Sequence, residues 1–144
     1  MSISTNRAQL KSIVDGVMAD DVGIAVTYNY QPSVISASAT PAVCVIWDGS
    51  SDRTLSTSKN TWINKFVIRT ILEETSDYST QMNLLFTIVD ALMVALRDKT
   101  NITLSGNAHK MLMTDVSPVL SSQLGNMKVW YIDIEVEVMS LESI

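Results

Sequence analysis

Cysteine occurs once, at Cys44, in a chain of 144 residues. No intrachain disulfide can form, and a zinc site built on several thiolates is excluded. Histidine is as scarce: His109 stands alone beside Lys110 near a turn, with no partner at a recognisable spacing to make it a general base. Charge is also in short supply. Charged residues make up 17% of the chain, against about 25% in an average soluble domain, and Ser and Thr keep the surface wettable instead. Lys and Arg number 10 against 15 Asp and Glu, for a net charge of −5. That balance tells against a basic nucleic-acid binder, whose phosphate contacts need clustered cations. Long apolar runs are missing too. The stretch Met82 to Leu96 is broken by Asn83, Thr87 and Asp90 and falls short of the roughly 20 residues that span a bilayer. The polar start, Met1 to Arg7, holds no signal-peptide apolar region. A soluble, cytoplasmic chain without a membrane partner is expected. No Gly-rich phosphate loop, nucleophile elbow or His-Glu-x-x-His helix is present, so no cofactor or catalytic residue is assigned.

What is there is apolar patterning. Apolar residues make up 47%, which excludes disorder, and residues 1–144 fit one domain with no linker or repeat. Leu10, Ile13, Val14, Val17 and Met18 follow the 3.6-residue period of a helix, with Asn6 as expected N-cap and Gln9 as its capping-box partner. Ile24 to Tyr30 reads as a strand stopped by Gln31-Pro32, and Ser33 to Thr40 as a small polar connection. Pro41 opens the run Ala42 to Trp47, whose continuous apolar character predicts burial on both faces. Asp48 to Asn60 reads as a protruding loop, with Gly49 near its start.

Thr61 to Glu74 reads as a long strand. Trp62, Asn64, Phe66, Ile68, Thr70 and Leu72 fall on one face; Ile63, Lys65, Val67, Arg69, Ile71 and Glu73 fall on the other. The second face is half apolar and half charged, suited to solvent or to another subunit. After a cap region at Ser76 to Ser79, Thr80 to Lys99 reads as a long amphipathic helix with its stripe at Met82, Leu85, Val89, Leu92 and Leu96. Ile102 to Leu104 and Met111 to Val116 are expected to pair around Ser105-Gly106-Asn107. Met127 to Met139 alternates most clearly, with Ile132, Ile134, Val136 and Val138 on a core face and Asp133, Glu135 and Glu137 on an acidic one. Strand runs separated by only two helices predict an α+β fold. Its mostly antiparallel sheet has four to six strands, packed by a short N-terminal helix and one long helix.

The three acids of the last strand form a solvated or lumen-facing surface rather than a metal site, since no second cluster of ligands supports one. If that strand neighbours the earlier long one, Lys65 and Arg69 can oppose the acids as cross-strand pairs. Asp48-Gly49-Ser50-Ser51-Asp52 is a polar loop, because it lacks the distal Glu of a calcium loop. Cys44, inside an apolar run, reads as a small buried hydrophobe.

Taken in order, the chain resembles the tail terminator and tail-completion proteins of tailed bacteriophages, the lambda-type terminator fold. The likeness rests on the N-terminal helix, Tyr28-Asn29-Tyr30-Gln31-Pro32, Thr40-Pro41-Ala42-Val43-Cys44-Val45, Phe66-Val67-Ile68-Arg69, the helix through Leu92 and Leu96, and the alternating last strand. The resemblance implies a non-enzymatic virion protein, assembled in the host cytoplasm, that forms a ring, commonly a hexamer, at the head-proximal end of the tail. Its implied partners are further copies of itself, the tail tube protein and a head-completion or neck protein. In that setting Asp133, Glu135 and Glu137 would line a lumen through which DNA passes without specific binding. Ile63, Lys65, Val67, Arg69 and Ile71 would meet a neighbouring subunit, and the loop with Asp48, Asp52, Arg53 and Lys59 would contact the tube. Two other readings remain: a neck or head-closure protein, and a small-ligand-binding or enzymatic α+β domain using His109.

Overall fold

The computed structural model describes residues 3–54, 59–98, 101 and 110–143, with the backbone alone for 52–54, 59–61 and 141–143. Among these residues the elements run α1 (Ile3–Ala19), β1 (Val26–Tyr28), β2 (Ala42–Thr54), β3 (Lys59–Glu73), α2 (Tyr78–Arg97), β4 (Lys110–Val116), β5 (Leu120–Leu124) and β6 (Met127–Ser143), with a single 3-10 turn at Ala37–Ala39. The strands form one six-stranded sheet in the order β1-β2-β3-β6-β4, and β5 pairs with β6 beside β4. Only β1 and β2 run parallel; every other pairing is antiparallel. The expected α+β architecture is present.

α1 buries Leu10, Val14 and Val17 as its spacing predicts. Asn6 is not its cap. The helix begins at Ile3, which packs against the core, so Asn6 lies one turn before Leu10 on the buried face and Gln9 has no cap to box. Asp15 accepts hydrogen bonds from Lys11 Nζ at 3.0 Å and from the Thr27 hydroxyl, tying α1 to β1. At the end of α1, Asp20 and Asp21 donate to Val17 and Met18 carbonyls, and Gly23 turns the chain at φ +110°. A Cβ there would stand 2.7 Å from Leu84 Cδ1, so glycine lets this loop close onto α2.

β1 is shorter than the expected Ile24 to Tyr30. β2 is longer than expected, because the segment from Asp48 to Asn60 is mostly strand. A bulge between Trp47 and Ser50, with Gly49 at φ +103°, bends β2. Pairing then resumes from Ser50↔Asn64 to Thr54↔Asn60. The start of β3 also pairs with the end of β6, from Lys59↔Ser143. A ladder on both sides of β3 fixes the polar backbone in this arm, which composition alone reads as loop. β4 pairs with β6; the expected pairing with Ile102 to Leu104 falls outside the described residues, as does His109. β5 and β6 form a hairpin about Gly125-Asn126 that the sequence reading did not anticipate.

Asp77 caps α2, its Oδ1 accepting from the Thr80 N–H at 3.4 Å. By length and composition α2 is apolar enough to cross a bilayer, with an 18-residue window of mean hydropathy 1.4 inside its 20 residues. The polar residues Asn83, Thr87 and Asp90 do not shorten it, because they fall together on one exposed face. Met82, Leu85, Ile88, Val89, Leu92 and Leu96 are buried. With α1 they cover one face of the sheet, over Val43, Val45, Phe66, Ile68, Ile134 and Val136. Each such side chain contributes about 1.5–3 kcal/mol by leaving water. A second, smaller cluster lies on the other face: Ile35, Ala42, Cys44, Ile71 and Val129. Segment 29–41 closes over it. Ala42 to Val45 are therefore buried on both faces, but the expected run to Trp47 is not: Ile46 is half-buried and Trp47 is 46% exposed.

Candidate functional site

Alternation along β3 puts Ile63, Lys65, Val67, Arg69 and Ile71 on the face away from the main core. The antiparallel register brings the acids of β6 to the same face: Arg69↔Asp133, Val67↔Glu135 and Lys65↔Glu137. The two surfaces that the sequence reading treated separately are thus neighbouring rows of one surface. β2 extends it with Ile46 opposite Val67, and β4 adds Leu112 opposite Glu137 and Asp115 opposite Glu135.

The surface divides along the strands. In one half Arg69 Nε donates to Asp133 Oδ1 at 2.7 Å and Nη2 to Oδ2 at 2.9 Å, while Nη1 donates to Gln31 Oε1 at 3.3 Å. The guanidinium also lies 4.6 Å from the centre of the Tyr131 ring. The hydrogen-bonded carboxylate of Asp133 holds the Arg69 pKa above its ordinary value. Asp133 is therefore paired with Arg69 and mostly buried rather than displayed. Cys44 belongs to the same cluster, and burial pushes its thiol pKa up to about 12.

The other half is uncovered. Lys65 and Glu135 are exposed, and Ile46, Ile63, Val67 and Glu137 are half-buried. Asp48, Lys65, Thr114, Glu135 and Glu137 line a polar cavity of about 150 Å³. Among the described residues no three His, Cys, Asp or Glu side chains gather as a metal site. Of the residues assigned to a tube-contacting loop, Asp48 lines this cavity. Asp52, Arg53 and Lys59 lie on paired strands, at Asp52↔Trp62, Arg53↔Thr61 and Lys59↔Ser143. They belong to a three-stranded arm and not to a loop.

A further cavity, of about 580 Å³, lies between the helices, floored by Ser12, Gly16, Ala91 and Ala95 and flanked by Val94. Sequence reasoning missed it and the cover formed by segment 29–41. The signal for the cover was Ile35, which with Val34 interrupts an otherwise Ser- and Ala-rich connection. Compared with known proteins, the chain matches no family model and no curated protein.

Proposed function

We propose that this chain is a non-enzymatic virion protein of a tailed bacteriophage. It forms a ring at the head-proximal end of the tail tube, stops tube growth and offers a joining surface to the head. The observation that carries this reading is the uncovered half of the sheet face. Ile46, Ile63, Val67 and Leu112 lie there, with Lys65 opposite Glu137 and the acids Asp115 and Glu135 opposite each other. Interface cores are depleted in unpaired charge and rich in apolar contact. A ring requires a heterologous contact whose rotation closes, and the broad sheet face on one side with the helix groove on the other supplies two different surfaces for it.

Glu135 and Glu137 lie on this same face, so only the part of it that a neighbouring copy leaves open borders the lumen, where like-charge repulsion keeps passing DNA from adhering. Asp133, already paired with Arg69, adds little to that field. The arm made by Ser50–Thr54, Lys59–Asn64 and the end of β6 meets the tube. Electron microscopy of the chain mixed with isolated tail tubes tests the reading. Closed rings capping one tube end, with Glu135 and Glu137 turned inward, are expected. Bare tube ends, or rings carrying these residues on the outer surface, overturn it.

A further inference from the structure

Segment 29–41 joins β1 to β2 without entering the sheet. Its described backbone hydrogen bonds are the local ones of Ala39 to Ser36 and Thr40 to Ala37, and at its end the Ala25 N–H donates to the Pro41 carbonyl at 2.8 Å. Among the described residues, the side-chain hydrogen bond tying it to the sheet is that of Gln31 with Arg69. Its apolar anchors are Pro32 and Ile35, both buried, and the half-buried Ala39. Tyr30 and Val34 are 55% and 67% exposed; the Tyr30 ring meets Tyr28 edge-on at 5.8 Å, and Val34 lies beside Gly125. The cluster it covers is separate from the main core, which lies across the sheet between β-strands and helices. Ordering a segment of this length costs conformational entropy at every residue, and here few buried contacts offset it. Parts of a fold held by few buried contacts and few non-local backbone bonds open on their own.

We infer that segment 29–40 is a detachable strap, which lifts from the sheet while the helix-side core stays closed and so uncovers Ala42, Cys44, Ile71 and Val129. The uncovered patch is continuous with the Ile46 and Val67 surface. Under the ring reading it enlarges the face offered to a neighbouring copy, but the detachment itself does not depend on that reading. Arg69 sits at the hinge between the two halves: it holds the strap through Gln31 and the sheet through Asp133.

Cys44, the only cysteine, reports the opening. Under the closed strap it is fully buried and un-ionised at neutral pH, so an aromatic disulfide reagent reaches it only after the strap lifts. The experiment measures Cys44 labelling of the full chain against urea, beside global unfolding followed by far-UV circular dichroism. The wild-type slope decides without any variant: labelling should depend on urea much more weakly than global unfolding does. Ile35→Ala should speed labelling in water by about tenfold or more. Ile88→Val, in the helix-side core, should lower global stability yet leave labelling within about twofold, since the two sites share no contacts. Labelling that follows global unfolding with the same slope, or that Ile88→Val accelerates as much as Ile35→Ala, overturns the proposal. Ring formation is read separately, so failure of one leaves the other standing.

Discussion

Arg69 and Asp133 meet across β3 and β6 in a two-point ion pair, Nε to Oδ1 at 2.7 Å and Nη2 to Oδ2 at 2.9 Å. The planar fork of arginine matches a carboxylate in a way that lysine cannot. Both side chains are mostly buried, with 29% and 18% exposure, so water screens the pair only in part. Arg69→Ala strands Asp133 in that setting and should cost roughly 2–3 kcal/mol in urea denaturation, somewhat below a fully buried pair. Adding Asp133→Asn should recover part of the loss. A cost under about 0.5 kcal/mol would reduce the pair to an ordinary surface contact.

Two glycines should respond in opposite directions. Gly16 lies in the open groove between α1 and α2 with no atom within 4 Å of an added Cβ, so Gly16→Ala should stabilise the monomer by about 0.5–1 kcal/mol through helix propensity. Gly23 sits at φ +110° with Leu84 Cδ1 at 2.7 Å from its missing Cβ. Gly23→Ala should cost about 1–3 kcal/mol, and trimming Leu84 to Ala should relieve the clash but not the backbone strain. Thermal melts of the four proteins check both signs.

Asn6 is fully buried with neither its amide nitrogen nor its carbonyl oxygen hydrogen-bonded. Burying such groups without partners is unfavourable. Asn6→Ala should therefore leave stability unchanged or raise it by about 0.5–1 kcal/mol, helped by alanine's helix propensity. A loss above 1 kcal/mol would mean that Asn6 is bonded in solution.

Cys44 sets an alkaline limit. Its thiol pKa rises from 9.0 to about 12 in the fold, by burial against the smaller opposing pull of Arg69. A raised folded pKa contributes stability that is fully present below pH 9.0 and is lost as pH climbs toward 12. Within that window the contribution should fall by about 1.4 kcal/mol per pH unit. Subtracting the same curve for Cys44→Ala removes the shared titration of Lys and Tyr and leaves the cysteine component.

Elements with a strong period were legible in the residues. α2 declares itself through Met82, Leu85, Val89, Leu92 and Leu96, and β6 through its strict alternation, because each lays a continuous apolar row against the same core. β5 gave no such signal: Leu120 to Gln123 are all exposed, so hydrogen bonding to β6 alone makes them a strand. The part of the expected Asp48 to Asn60 loop that is strand, Ser50–Thr54 and Lys59–Asn60, was misread for the same reason. Its polar side chains do not mark a buried face, and its order comes from partners on both sides of β3. At the site, the residue types on each strand could be read from alternation. That Lys65 and Arg69 stand opposite Glu137 and Asp133 depended on β3 and β6 being neighbours, a long-range fact that local pattern does not contain.

The central claim is that this chain ends tail growth, and tail length tests it most directly. Virions assembled without the chain should carry tails of uncontrolled, broadly distributed length in negative-stain images, and supplying the chain should restore a single length. Finished tails of normal length lying beside filled heads would contradict the account and point to a neck protein instead.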